Sequence, residues 1–299
     1  MIIAELAALS AAFCWALSGL ISINAIRKLG PLAFNRVRMS FVFLLLAGIS
    51  LLTGEWREFP LDTIQTLMIS GLIGIFLGDT ALFAALQRLG PSRTSIVFTF
   101  HAPMTVIMGW FILEEHLPWL TLLGCGIVTV GVLIAILGRR NNKEPQSIDS
   151  TQGRLRYGIA LGLLAAFGQA AGSIIARPIM AEGVDPVTAS AIRVGISALC
   201  LLCLGFIPNP LFMAKTQYTV KLIGIIMLSG FLAMGIGMTL LLYALALGDA
   251  GVVTTLAATQ PVLILPLLWI STGKSPPLMA WFSAVLTLIG LALITFSWG

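Results

Sequence analysis

The sequence predicts an all-α polytopic membrane protein with ten transmembrane helices, arranged as two inverted five-helix repeats. Three observations predict it. The 299 residues are 58% hydrophobic and only 10% charged, with a mean hydropathy of +1.02, whereas soluble domains carry about a quarter charged residues. Ten apolar stretches each approach the roughly 20 residues that a helix needs to cross the hydrocarbon core. Landmark residues recur in the same order in the two halves. Hydrocarbon offers the backbone no hydrogen-bond partner, so each stretch must satisfy its own amides as a helix.

The spans read 3–24, 33–53, 64–86, 94–113 and 118–138, then 157–177, 187–207, 220–243, 252–272 and 276–298. Turn formers separate them: Gly30-Pro31, Gly54, Gly90-Pro91, Pro118, Gly183, Pro186, Pro208 to Pro210, and Pro276-Pro277. The first stretch lacks a basic leading segment, since Glu5 is its first charge, and reads as a retained helix rather than a cleaved signal. The segment 139–156 is polar, with Arg-Arg-Asn-Asn-Lys-Glu-Pro-Gln-Ser, and reads as a flexible linker. It divides the chain into repeats at 1–138 and 157–299.

The halves resemble each other at landmark residues that recur in the same order. Ala-Ala-Phe at 11–13 matches 165–167, and Arg38 matches Arg193. Ser70-Gly71 matches Ser229-Gly230, Gly78 matches Gly237, Pro103 matches Pro261, and Gly131 matches Gly290. Five spans per half is an odd number, so the second half enters the membrane in the opposite sense. Inverted repeats of this kind are a recurring transporter architecture, with the substrate near midplane between them. Of the 17 Lys and Arg residues, all but Arg57, Arg177 and Arg193 fall near odd-numbered connections. The positive-inside rule then predicts odd connections in the cytoplasm and both termini on the outer side.

In the third span the chain reads Gly-Asp-Thr-Ala-Leu-Phe-Ala-Ala-Leu-Gln-Arg-Leu-Gly-Pro-Ser-Arg at 78–93. Ala-Ala-Phe-Cys-Trp-Ala-Leu-Ser-Gly in span one, Arg38, Pro103, the Leu-Glu-Glu-His-Leu close of span four and a Gly-rich fifth span accompany it. This series resembles the EamA group of the drug/metabolite transporter superfamily, over nearly the whole chain. The second half departs from it: Met238 stands at the counterpart of Asp79, and Thr272-Gly273-Lys274 at that of the acidic end of span four. The resemblance implies a secondary transporter, often an exporter of amino acids or other small metabolites, with related branches exchanging nucleotide sugars or sugar phosphates.

Asp79 is the foremost candidate, because an acid at membrane depth is costly, about 2.5–3.5 kcal/mol on insertion scales. It reads two ways: a cavity carboxylate for a cationic group or a proton, or a carboxylate paired to a neighbouring Arg, with Arg88 and Arg93 beyond it, or to helix-end backbone donors. His101 lies two residues before Pro103, whose missing N–H frees a carbonyl and opens a polar spot; hydrogen bonding to a neighbouring helix is its bland reading. Gln260 and Pro261 match these, which makes spans four and nine the expected cavity walls. Arg38 and Arg193 have a fork suited to a carboxylate or phosphate, against plain anchoring at the membrane surface. Arg36 reads as snorkelling. Trp15 and Ser18 in span one, with Gln169 and Ser173 in span six, place polar or aromatic groups at equivalent depths. Gln169 carries a full amide that needs a partner or a wet cavity; Trp15 alone reads as packing.

Other chemistry is not expected. Cys200 and Cys203 have a C-x-x-C spacing inside an apolar span with no further zinc ligands nearby, and Cys14 and Cys125 read as packing. Glu114, Glu115 and His116 lack a second ligand group and read as a wet helix end. No clustered catalytic set and no nucleotide-binding G-x-x-x-x-G-K-[ST] loop is present. No enzyme activity, metal, cofactor or nucleic acid is therefore expected. The expectation is a bacterial cytoplasmic-membrane exporter of small metabolites working by alternating access, driven by a proton or counter-substrate. The alternatives are uptake or exchange of a sugar-like or phosphorylated solute, and a lipid-handling or structural subunit.

Overall fold

The structure is a computed structural model that describes residues 2–139, 152–208, 212–273 and 275–296. Most of the expected linker, residues 140–151, and Pro210 of one expected turn lie outside them. Among the described residues, ten helices are long and apolar enough to cross a membrane. They are α1 (Ile2–Leu29), α2 (Pro31–Thr53), α3 (Leu61–Leu89), α4 (Arg93–Ile112) and α5 (Trp119–Leu137), then α6 (Leu155–Ala181), α7 (Pro186–Gly205), α8 (Val220–Leu247), α9 (Ala250–Ile270) and α10 (Leu278–Thr295). Among the described residues there is no strand. The protein is an integral membrane protein.

Large apolar side chains cover the outside. Leu52, Phe111 and Ile270 are more than four-fifths exposed, which fits a surface solvated by lipid. Inside, small residues let backbones meet, since apolar burial alone does not drive helices together in lipid. A Cβ added at Gly172 of α6 would lie 2.7 Å from the Gly74 Cα of α3, and one at Gly124 of α5 2.8 Å from the Gly290 carbonyl oxygen of α10. Between the halves, α1 packs on α8, α3 on α6, α2 on α7 and α5 on α10. Exchanging the halves carries the first pair onto the second and each of the last two onto itself.

Caps follow the sequence. Asp185 accepts the Thr188 backbone N–H at 2.7 Å to start α7, and Thr219 accepts that of Leu222 at 3.3 Å to start α8. Gly183, at φ 85, makes the left-handed turn before α7. At Gly90-Pro91 helical hydrogen bonding runs on from Gly78 to Phe98 without the expected break. The chain nonetheless reverses there. Val97 and Ala85 both lie within 4 Å of a Cβ built on Gly162, whereas twelve residues of straight helix would separate them by about 18 Å.

Two irregularities occur at corresponding places in each half. α3 widens to a π-helix at Leu72–Leu77, and α8 at Phe231–Gly237. α4 breaks at Thr99 and Phe100 and restarts at His101; α9 breaks at Ala258 and Thr259 and restarts at Gln260. The breaks correct the expected action of Pro103. Both prolines sit in the first turn of a restarted helix, where no N–H is needed. The carbonyl that Pro103 was expected to free is taken: Thr99 O accepts the Ala102 N–H at 3.3 Å.

Candidate functional site

A cavity of about 440 Å³ lies among α1, α2, α3, α4, α5, α6, α8 and α9. It is lined toward the helix ends that meet the odd-numbered connections: Trp15 at the middle of α1 and Ser18 to Ile26 beyond it, Arg38 early in α2, Ser95 to Thr99 early in α4 and Ile136 at the end of α5. Of the expected residues, Trp15, Ser18, Arg38, Asp79, His101, Gln169, Gln260 and Pro261 line it. Pro103, Ser173 and Arg193 do not. Ser173 is buried, and its hydroxyl donates to the Gln169 carbonyl at 3.1 Å.

Arg38 and Asp79 meet in the cavity wall. Arg38 Nη2 lies 3.5 Å from Asp79 Oδ2, with side chains 10% and 18% exposed. This corrects two readings. Arg38 is not anchored at the membrane surface, and the partner of Asp79 is not Arg88, which is exposed and bonds its own helix at Ala84 O, 2.9 Å away. The pair is also deeper than expected, because α3 is longer than the span read from sequence. Asp79 lies ten residues from Leu89, about 15 Å along a helix and half the core thickness.

Asn35, one turn before Arg38, holds the group together. Its Oδ1 accepts from Arg38 Nε and Nη2 at 3.1 and 2.7 Å, and its Nδ2 lies 3.4 Å from Asp79 Oδ2. Charge-assisted hydrogen bonds run about 2.7–2.9 Å. The Asn35–Arg38 bond is therefore firm and the contacts to Asp79 are loose. Asp79 Oδ1 makes no hydrogen bond among the described residues. A cation and an anion thus stand side by side, each with capacity left for a ligand. Sequence reading missed Asn35, although an amide three residues before a buried arginine was a signal.

The other walls are mixed. Trp15 does more than pack: its Nε1–H donates to Ala233 O in the α8 π-segment at 2.8 Å, and Ser18 donates to Ser229 O at 2.9 Å. His101 is 6% exposed and stacks near Phe98 at 5.0 Å, but its Nδ1 has no hydrogen-bond partner among the described residues. The expected bond to a neighbouring helix is absent there. The Gln260 amide lies against Gly19 of α1. Phe83, Phe98, Met234 and Met238 supply apolar surface.

A family model for the EamA-like transporter family matches residues 2–137 and again residues 156–296. The chain belongs to this family. EamA proteins form part of the drug/metabolite transporter superfamily, and membership points to transport rather than enzyme chemistry. The S-adenosylmethionine/S-adenosylhomocysteine transporter of Chlamydia trachomatis serovar L2 is 27% identical over 126 residues, 42% of this chain. The chain spans only 38% of that relative's length. A protein of Archaeoglobus fulgidus described as an uncharacterized transporter is 25% identical over 206 residues, covering 67% of this chain and 66% of its own. A crystal structure with 16% identity superposes with a TM-score of 0.80, covering 98% of this chain and 97% of the other, and shows that the fold is shared.

At the helix ends away from the cavity, Glu115 ties α4 to α6 and α9, which corrects the reading of a wet helix end for this residue, while Glu114 and His116 are exposed. Glu114 has left-handed backbone (φ 55), and the Glu115 N–H closes α4 by bonding Gly109 O at 3.1 Å. The Glu115 side chain is only 9% exposed. Its carboxylate accepts the Ala250 N–H at 2.9 Å and that of Gly251 at 3.5 Å, at the start of α9, and pairs with Arg177 Nε of α6 at 3.5 Å. A negative charge is favoured at a helix N-terminus. Burial pushes the Glu115 carboxyl above the usual range, against the helix donors and Arg177; burial does the same to Asp249. No cluster of metal-ligating side chains exists among the described residues.

Proposed function

We propose that this protein is a secondary transporter of small zwitterionic metabolites, with amino acids the leading class, working by alternating access between two inverted repeats at 1–138 and 157–299. The observation that carries this reading is the loose Arg38–Asp79 pair in the cavity wall. Arg38 offers a carboxylate its fork, and Asp79 offers an ammonium its free oxygen. The cavity has the size of a ligand site, whose usual range is about 300–1,000 Å³, and Gln169, Gln260, Phe83 and Phe98 would meet a polar or apolar side chain. The helix pairs that map onto one another when the halves are exchanged, and the paired π-segments and breaks, support the inverted repeat.

The basic bias of the odd connections supports a cavity facing the cytoplasm, and with it loading from inside and export across a bacterial cytoplasmic membrane. Both termini then lie outside. Adenosylmethionine-type solutes belong in the same class, since each carries an amino-acid end. An exclusive sugar-phosphate substrate fits less well, because Asp79 would repel it.

The test is counterflow in proteoliposomes with radiolabelled L-leucine, L-threonine, L-phenylalanine, S-adenosylmethionine and glucose 6-phosphate. Exchange of one or more of the zwitterions supports the reading. Exchange of glucose 6-phosphate alone, or of none, overturns it.

A further inference from the structure

Arg193 is the counterpart of Arg38, but its surroundings are not. It is 1% exposed, and among the described residues its guanidinium donates to a thioether: Nη1 lies 3.7 Å from Met238 Sδ. Nε has no partner among the described residues. Met238 stands where the other half has Asp79. Ser190, three residues before Arg193, stands where the other half has Asn35, and Thr239 donates to its hydroxyl at 3.2 Å. Both oxygens that hold Arg38 are thus replaced. Leaving a buried cation without an opposite charge is strongly unfavourable, and the α3 backbone makes no room for one. Gly71 packs on the Arg193 backbone, and a Cβ on Gly74 would lie 3.3 Å from Nη2.

Position gives the charge a use. Arg38 is eight residues into α2 from an odd-numbered connection, and Arg193 eight residues into α7 from an even-numbered one. The two arginines therefore lie toward opposite ends of the bundle. The cavity is lined toward the Arg38 end, and Met238, in its wall, touches Arg193. If the halves exchange conformations, Arg193 lines the cavity that opens at the other end.

We infer that Arg193 is a second anion site, screened by Met238 here, which takes the carboxylate of the transported solute when the cavity opens toward the even-numbered connections. The inference rests on the alternating-access reading above. Without an acid at 238, the guanidinium is neutralised by cargo rather than by the protein, so the carboxylate is held at both ends of the path. The ammonium is held only at Asp79, which favours release at the Arg193 end.

The test uses Met238→Cys in a chain whose Cys14, Cys125, Cys200 and Cys203 are replaced by serine. Sulfonatoethyl and trimethylammonioethyl thiosulfonates are added to the even-connection side of sealed proteoliposomes. The anionic reagent should react about tenfold faster than the cationic one, and Arg193→Gln should abolish that preference. No reaction from that side, or no charge preference, overturns the inference whatever the solute proves to be. Exchange supplies the second arm. Met238→Asp, which re-creates the ion pair, should fold and bind the zwitterion found above yet exchange it about tenfold more slowly than wild type, whereas the uncharged Met238→Asn should slow it less. If Met238→Asp exchanges normally while Asp79→Asn does not, Arg193 is structural and the reading of the Arg38–Asp79 site stands. If chloride replacement by methanesulfonate slows exchange only while Arg193 is present, with Met238→Asp still active, the site takes an inorganic anion and the inference fails.

Discussion

Asp79 is held more loosely by Arg38, at 3.5 Å, than Arg38 is held by Asn35, at 2.7 Å. The amide fixes the cation, and the carboxylate remains available. That asymmetry suits a site that must bind and release.

Replacing Asp79 with Asn keeps the size and the contact to Asn35 while removing the charge. The variant should insert at near wild-type levels, because the Asn35–Arg38 bond survives, yet lose about tenfold or more in exchange, the equivalent of about 1.4 kcal/mol. Quantitative blotting alongside counterflow separates the two effects. A variant that fails to accumulate would make the pair structural.

Cysteines placed at His101 and Gln260 should be labelled by small hydrophilic reagents, since both residues line the cavity, and zwitterionic solute should protect them. Inaccessibility from both sides would remove them from the path.

Gly172→Val should prevent stable assembly. Its side chain would begin 2.7 Å from the Gly74 Cα, and overpacking costs about 1–3 kcal/mol. Gly126→Ala, where nothing lies within 4 Å, should be tolerated. Thermal unfolding in detergent compares them.

Glu115 should make closure of its end sensitive to pH. Burial raises its carboxyl affinity for a proton in the closed form, and opening hydrates it and restores the ordinary value. Closure therefore takes up a proton, so acidification toward the raised value favours the closed end and rising pH through it favours opening. Asp249 shifts the same way, while Arg177 opposes both. Glu114 and His116 line the same pocket, and Glu182 and Asp185 lie in the neighbouring α6–α7 connection. Accessibility of a cysteine at Val253 from that end, followed against pH, should rise with pH in the wild type and lose much of that dependence in Glu115→Gln.

Impermeant thiol reagents should miss a cysteine in segment 141–150 of intact cells and reach one after Trp298, if the basic bias sets orientation.

Hydropathy alone reveals ten spans, because lipid imposes one rule on every helix. The cavity walls were partly legible, since Asp79, Gln169 and Gln260 are polar groups that an apolar span does not hold without reason. The partners were not. Arg38 and Asp79 are far apart in the chain, and only packing of α2 on α3 decides that Arg38, rather than Arg88, reaches the carboxylate. The role of Glu115 depends on α9 beginning beside it, and the π-segments leave only their glycines as a local signal.

If one charge pair reads both ends of a zwitterion, equilibrium binding shows it. Purified wild type, Asp79→Asn and Arg38→Gln would be titrated with L-leucine, isoamylamine and 4-methylpentanoate, which carry both charges, the ammonium alone and the carboxylate alone. Wild type should prefer leucine to each analogue by about tenfold, with Asp79→Asn losing the preference over the acid and Arg38→Gln the preference over the amine. Equal binding of all three by wild type, or preferences unchanged in both variants, would contradict the account.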